Sequence, residues 1–216
     1  MAAFDLPSDL AVRTHREVAA HLVLRGWIPG GVGDWALALR SPDGTSVARV
    51  CPFDPAYAAF VELCRRCPDS PYLPRVLLHA DLDGGATLTV LEFLAPLDPA
   101  QAADVARRWA DGDPAFQDVR QAALAVDAEW RASMPWWDGI DLNAGNVRRG
   151  LDGRTVLIDV FCMDGESLYG QVMKDASVVR ERLPRSRHLL EIPYIARESA
   201  PEEIRALREA WEAGRP

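Results

Sequence analysis

Near the N-terminus, apolar residues recur at the spacing of a single helix face. They are Leu10, Ala11, Val18, Ala19, Leu22 and Val23. Because an amphipathic helix repeats every 3.6 residues, this pattern predicts a helix over about 9–25, and Gly26 supplies its end.

The segment that follows is dominated by short apolar or alternating runs, which are typical of β-strands. Strands are predicted at 27–28 (leading into the glycines 30, 31 and 33), 35–40, 46–51, 75–79 and 88–94. Asp43-Gly44 between two of these runs indicates a tight hairpin turn. One helix interrupts the strands, with Asp54 as its N-cap and Pro55 in its first position.

After Pro96 the pattern becomes mainly helical. The predicted elements are helices near 99–110 and 114–133, a small hairpin of 146–148 against 156–158, and a last helix. Ser199 and Glu202 have the spacing of a capping box at the start of this last helix, and Gly214 ends it. Strands with one helix, followed by helices with one hairpin, predict an α+β fold in two lobes, 1–95 and 96–216.

Charge and cysteine content narrow the classes of partner. With 24 Lys and Arg against 32 Asp and Glu, the formal net charge is −8, so no electrostatic attraction to nucleic acid or to an anionic membrane is expected. The N-terminus, from Met1, lacks the basic and long apolar regions of a leader, and no apolar run reaches the length of a membrane span. Cys64 and Cys67 form a single C-x-x-C in a helical pattern, which favours reduced thiols over zinc or redox chemistry and a cytoplasmic location.

Three polar residues in the second half form one chemical set. Asp141 and Asn146 lie in the stretch Asp-Leu-Asn-Ala-Gly-Asn, and Asp159 directly follows the apolar run 156–158. A carboxylate such as Asp141 can accept a proton from a hydroxyl, while an amide oxygen and a second carboxylate are hard ligands that suit Mg²⁺. These are the groups that phosphoryl transfer from a nucleotide requires. The alternative is a surface turn in which Asp and Asn bond their own backbone.

The spacing of this set resembles the catalytic-loop and metal-binding pattern of the protein-kinase-like superfamily. The chain looks closer to the small bacterial aminoglycoside-phosphotransferase type than to ordinary protein kinases. The resemblance covers about residues 27–165. It implies a compact bilobal fold, with an N-terminal antiparallel sheet lobe and a mainly helical C-terminal lobe. It also implies Mg²⁺ as cofactor, ATP or GTP as co-substrate, Asp141 as the catalytic base, and Asn146 and Asp159 as metal ligands.

The resemblance also implies a nucleotide-binding set in the first half. Gly31, Val32 and Gly33 would lie over the phosphates, Arg49 would replace the usual phosphate-binding Lys and pair with Glu62, and Glu92 to Leu94 would meet the adenine edge. Each position has an ordinary structural alternative: a hairpin turn, a solvated Arg, a solvated Glu and a buried strand.

Together these residues predict a Mg²⁺-dependent phosphotransferase that moves the terminal phosphate of ATP or GTP to a hydroxyl of a small molecule or protein. The alternative is a pseudokinase that binds nucleotide or acts as a scaffold without turnover, favoured by Arg49 and by Gly139, which stands where the family usually has His. A third possibility is an interaction domain that has lost nucleotide binding. The four histidines show no metal-ligand spacing, and core or surface positions are expected for them.

Overall fold

A computed structural model describes residues 4–214 of the chain. The prediction that the N-terminus is not a leader falls partly on Met1 to Ala3, which lie outside the described residues. The chain divides into two compact units. Unit 1 takes in 4–54, 78–90 and 165–214, and unit 2 takes in 55–77 and 91–164.

The largest sheet has five strands in the order β1-β2-β3-β5-β4. Their bounds are β1 Ile28–Val32, β2 Leu37–Arg40, β3 Ser46–Cys51, β4 Val76–Asp81 and β5 Thr87–Glu92. The first three pair antiparallel, with Leu37 opposite Val50 and Ile28 opposite Arg40. The predicted hairpin at Asp43-Gly44 is confirmed, and Gly44 has the left-handed φ (+74°) that this turn requires.

Helix α1 (His15–Leu24) packs its apolar face on this sheet. Val18 and Leu22 are fully buried and share a core with strand residues such as Leu39, Val50 and Leu88. The predicted helix over 9–25 is wrong at its start, because Leu10–Val12 forms a separate 3-10 turn. Thr14 and Glu17 form a capping box that fixes the start of α1 at His15.

Unit 1 also contains the C-terminal helices α5 (Gly165–Arg182), α6 (Pro193–Glu198) and α7 (Pro201–Ala213). Helix α5 is interrupted at Asp175, whose side chain accepts hydrogen bonds from the N–H and hydroxyl of Ser177. The last helix starts one residue later than predicted. Ala200, not Ser199, is its N-cap, and Glu203 rather than Glu202 accepts the N–H of the cap residue, because Pro201 takes the first helical position.

Unit 2 consists of helices and two small sheets. The helices are α2 (Pro55–Arg66), α3 (Pro99–Ala110) and α4 (Gln117–Ser133). One sheet pairs β6 (Leu94–Pro96), β8 (Val147–Gly150) and β9 (Thr155–Leu157), and the other pairs β7 (Trp137–Ile140) with β10 (Phe161–Met163). The predicted hairpin of β8 and β9 is confirmed, whereas the predicted strand 88–94 is two strands, β5 and β6.

The fold is α+β, as expected from the order of elements. The lobes 1–95 and 96–216 stay a prediction. The two compact units divide the chain differently, since 165–214 belongs to the same unit as 4–54. Among the described residues, no helix is both long and apolar enough to cross a membrane.

Candidate functional site

Two backbone hydrogen bonds enclose Asp159 in unit 2. The N–H of Asp141 donates to the carbonyl of Val160, and the N–H of Ile158 donates to the carbonyl of Asn146, each at 2.9 Å. Because Ile158 and Val160 are the chain neighbours of Asp159, these bonds hold its backbone beside those of Asp141 and Asn146. The three residues singled out in the sequence are therefore brought together.

Strand pairing on both sides fixes this arrangement. Asp141 follows the last residue of β7, and β10 starts two residues after Asp159, with Ile140 opposite Phe161. On the other side, Asn146 directly precedes β8, where Val147 lies opposite Leu157 of β9. Since Val147 and Leu157 are fully buried, the polar residues at the strand ends are anchored to a packed core.

The electrostatic surroundings of this set are acidic. Burial, together with the carboxylates of Asp138, Asp141 and Asp159, raises the pKa of the half-buried Cys162 thiol to about 12. All three carboxylates therefore act on the same small region. A negative potential of this kind attracts a divalent cation.

The donor set fits Mg²⁺. Asn146 and Asp159 are partly buried and offer an amide oxygen and a carboxylate, whereas Asp141 is exposed. Within residues 4–214, no three His, Cys, Asp or Glu side chains converge closely enough at this site to hold an ion by themselves. Mg²⁺ usually keeps several waters and binds through one or two carboxylates together with substrate phosphates, so two protein ligands are sufficient.

Helix α4 supports the loop in a way that the sequence did not reveal. Asp127 accepts a hydrogen bond from Nε1 of Trp137 at 2.8 Å, and Arg131 donates to the carbonyl of Asp138 at 2.8 Å. Both contacts join α4 to β7, the strand that leads to Asp141. In the sequence, charged residues of an amphipathic helix are expected to face solvent, so only the tertiary structure shows that these two contact β7.

The glycine segment lies in unit 1, at the end of β1. Gly31 and Val32 are exposed, and the N–H of Gly33 donates to the carbonyl of Ala36 to close the hairpin with β2. Helix α6 contacts the same segment. Arg197 donates to the carbonyl of Val32 and to the carboxylate of Asp34.

Arg49 and Glu62 have partners other than each other. The guanidinium of Arg49 pairs with Asp54, and the two side chains are only 15% and 4% exposed. Glu62 instead binds Arg66 and accepts a hydrogen bond from Nε1 of Trp130 at 2.9 Å. The sequence identified Asp54 only as a helix cap, because ion pairing leaves no periodic signal.

Glu92 is the last residue of β5, and Leu94 is the first residue of β6. The carboxylate of Glu92 pairs with Arg154 and accepts the N–H of Arg75 at 2.8 Å. Leu94 lies opposite Gly150 in the sheet of β6 and β8. The Glu92 side chain thus has a structural role, which the sequence did not reveal.

No protein-family model matches the sequence, and no curated protein matches it. Among solved structures, the chain is similar to a chain of the CAK complex from Chaetomium thermophilum bound to ATP-gamma-S, at 19% identity and a TM-score of 0.39, with 67% of this chain and 49% of that chain covered. It is also similar to a thermostable mutant of aminoglycoside phosphotransferase APH(4)-Ia in a ternary complex with AMP-PNP and hygromycin B, at 12% identity and a TM-score of 0.39, covering 87% and 94%.

A further structure of aminoglycoside phosphotransferase APH(4)-Ia matches at 16% identity and a TM-score of 0.37, covering 91% of this chain and 88% of that chain. The protein thus spans about half the length of the CAK-complex chain and most of the length of the two phosphotransferase chains. In structure, the chain is similar to a CAK-complex chain and to aminoglycoside phosphotransferases, at identities below 20%.

Proposed function

We propose that this chain is a Mg²⁺-dependent phosphotransferase that moves the terminal phosphate of ATP or GTP to a hydroxyl group. The observation that carries the proposal is the pair of backbone hydrogen bonds on either side of Asp159, to Asn146 and from Asp141. They hold the backbones of Asp141 and Asn146 beside that of Asp159. Two carboxylates and a carboxamide are the groups that phosphoryl transfer from a nucleotide uses.

In this proposal Asp141 orients the acceptor hydroxyl and takes its proton. Its exposure supports this role, because an acceptor arriving from solution can reach the carboxylate. Proton transfer by a positioned side chain contributes about 10²–10⁴-fold to a rate. The acceptor is a hydroxyl-bearing small molecule or protein, and a screen for transfer of labelled phosphate would identify it.

Asn146 and Asp159 would bind Mg²⁺ through their side-chain oxygens. When bound, Mg²⁺ neutralises charge on the β- and γ-phosphates. The acidic surroundings that raise the pKa of Cys162 support a cation here. For Gly31, Val32, Gly33, Arg49 and Glu62, a role in nucleotide binding stays a prediction, as it does for Glu92 and Leu94.

The buried ion pair of Arg49 favours a second candidate, a pseudokinase. The carboxylate of Asp54 neutralises the guanidinium that the resemblance assigns to phosphates. A cation already paired with a buried carboxylate attracts phosphate less strongly than a free one. The chain would then bind nucleotide without turnover.

Phosphate release from ATP, with and without Mg²⁺, tests the proposal. We expect Mg²⁺-dependent release by the wild type, and a rate lower by about 10²–10⁴-fold in Asp141→Ala. Asp159→Ala should abolish the Mg²⁺ dependence. The matched control is Asp118→Ala, which removes an exposed carboxylate from the first turn of α4 and should leave the rate unchanged.

Release at the same rate in the wild type, Asp141→Ala and Asp159→Ala would end the enzyme hypothesis. Mg²⁺-dependent ATP binding without release above the Asp141→Ala background would instead support the pseudokinase.

A further inference from the structure

Two histidines from opposite ends of the chain face one carboxylate in unit 1. Nε2 of His15 lies 3.3 Å from Oε2 of Glu191, and Nδ1 of His188 lies 2.9 Å from Oε1. One ligand atom from each residue lies within 4.8 Å of the other two. The imidazole rings meet edge to face, with centroids 4.9 Å apart.

The spacing suits a single metal ion. Ligands about 2.0–2.1 Å from a tetrahedral zinc ion lie roughly 3.3 Å from one another. The 3.3 Å separation of His15 Nε2 and Glu191 Oε2 therefore matches that of two ligands on one ion.

Both imidazoles are largely buried. The His15 and His188 side chains are only 12% and 11% exposed. The outer nitrogens, His15 Nδ1 and His188 Nε2, are buried without a hydrogen-bond partner among the described residues. Glu191 is therefore the polar group that both rings share.

We propose that His15, His188 and Glu191 form a binding site for a divalent transition metal of the Zn²⁺ class. Two imidazoles and one carboxylate are ligands that such ions prefer, whereas Mg²⁺ prefers oxygen alone. With three protein ligands, a fourth position is left for water.

A metal ion here would join distant parts of unit 1. His15 is the first residue of α1. His188 and Glu191 lie beyond α5, where His188 directly precedes the 3-10 turn Leu189–Glu191 and Glu191 ends it. A link between residues so far apart in the chain restricts the unfolded ensemble. The site would therefore stabilise unit 1.

Arg16 competes with the metal ion. Its guanidinium lies 2.8 Å from Oε2 of Glu191, and its side chain is 74% exposed, so it can leave the carboxylate at low cost. Removing this positive charge should raise Zn²⁺ affinity. A purely structural cluster would lose an ion pair and gain nothing.

The test is Zn²⁺ titration of the chelator-treated full chain, followed by calorimetry and by thermal unfolding. We expect Zn²⁺ to raise the unfolding temperature. His15→Gln, His188→Gln and Glu191→Gln should each weaken binding by about tenfold or more. Arg16→Ala should tighten it, and any shift that Mg²⁺ gives should be the same in His15→Gln as in the wild type.

His21→Gln is the matched control, because His21 lies on the same helix and its Nε2 is near the backbone oxygen of Asp5 rather than in the cluster. Co²⁺ spectra should show nitrogen and oxygen ligation without a thiolate charge-transfer band, which excludes the four cysteines. Should His188→Gln fail to fold, the less buried Glu191 still permits the test.

Equal Zn²⁺ affinity in the wild type, His15→Gln and Glu191→Gln would overturn the proposal, and so would a thiolate band. The Zn²⁺ response should persist in Asp159→Ala. The metal site and the phosphotransferase can therefore fail independently.

Discussion

Gly139 lies two residues before Asp141, at a backbone position that side chains avoid. Its φ of +116° is outside the regions open to other residues. An added Cβ would collide with the guanidinium of Arg131 and lie 2.8 Å from Oδ1 of Asp127. The side chains of α4 thus fill the space that a histidine would need, and they support β7 in its place.

Gly139→Ala should lower the free energy of unfolding by about 1–3 kcal/mol, because it forces a strained φ and displaces Arg131. Urea denaturation measures this change. The control is Gly170→Ala in α5, where an added Cβ meets nothing within 4 Å and φ is not positive. That change should stabilise the protein by about 0.5–1 kcal/mol. Equal effects at the two positions would contradict the account.

His15 should make stability depend on pH. Burial lowers its pKa below the ordinary 6.5, with His188 and Arg16 acting in the same direction and Glu191 opposing. The unfolded chain therefore binds the proton first. Stability contributed by the neutral ring is complete above pH 6.5 and is lost as pH falls from there through the lowered pKa.

Thermal unfolding in the presence of a chelator, from pH 7.5 to 5, tests this expectation. His15→Gln should show a shallower loss of stability over that range than the wild type, whereas His21→Gln should not differ from the wild type. Parallel curves for all three proteins would contradict it.

At the scale of elements, local signals identified the hairpin of β8 and β9 but not the pairing of β7 with β10. Asp152-Gly153 between short apolar runs marks the hairpin turn in the sequence. Strand β7 has the sequence Trp-Asp-Gly-Ile, and its partner β10 follows only after the loop 141–146 and the hairpin. Pairing between segments so distant leaves no periodic pattern, so it could not be predicted.

Helix starts were predictable where one residue type decides them. The Asp-Pro pair at 98–99 begins α3 at the predicted residue. The start of α1 was missed because the capping box of Thr14 and Glu17 lies inside a longer apolar pattern. In both places the helix begins directly after the residue whose side chain accepts hydrogen bonds from the first free N–H groups.

Arg154 should be important for the stability of unit 2. Its guanidinium, mostly buried, pairs with Glu92 and donates to the carbonyls of Leu73 and Pro71 at 2.8 and 3.2 Å. Arg154→Leu leaves the buried Glu92 carboxylate without this partner. The change should cost about 3 kcal/mol in urea denaturation.

A double-mutant cycle provides the control. Glu92→Leu combined with Arg154→Leu should cost less than the sum of the two single changes, because neither charge is then left buried alone. Additive costs would show that the pair does not act as a unit.

At the scale of the whole molecule, the chain brings together residues that no local pattern connects. The α+β class was predicted from the order of elements, and the set Asp141, Asn146 and Asp159 was predicted from its spacing and from a family resemblance. The packing of the C-terminal helices with the first strands was not, and nor was the meeting of His15 with His188. These depend on tertiary contacts, which sequence periodicity does not encode.

The central claim is that the site formed by Asp141, Asn146 and Asp159 binds a Mg²⁺-nucleotide. The most direct test is to titrate the protein with ATP, once with Mg²⁺ and once with a chelator, and to measure the free energy of unfolding in each case. At 100 times its Kd, Mg²⁺-ATP should stabilise the wild type by about 2.7 kcal/mol. Asp118→Ala should retain this stabilisation, and Asp159→Ala should lose most of it.

Loss of the stabilisation both on chelation and in Asp159→Ala is the result that we predict. ATP binding that is the same with and without Mg²⁺, or the same in Asp159→Ala as in the wild type, would contradict it.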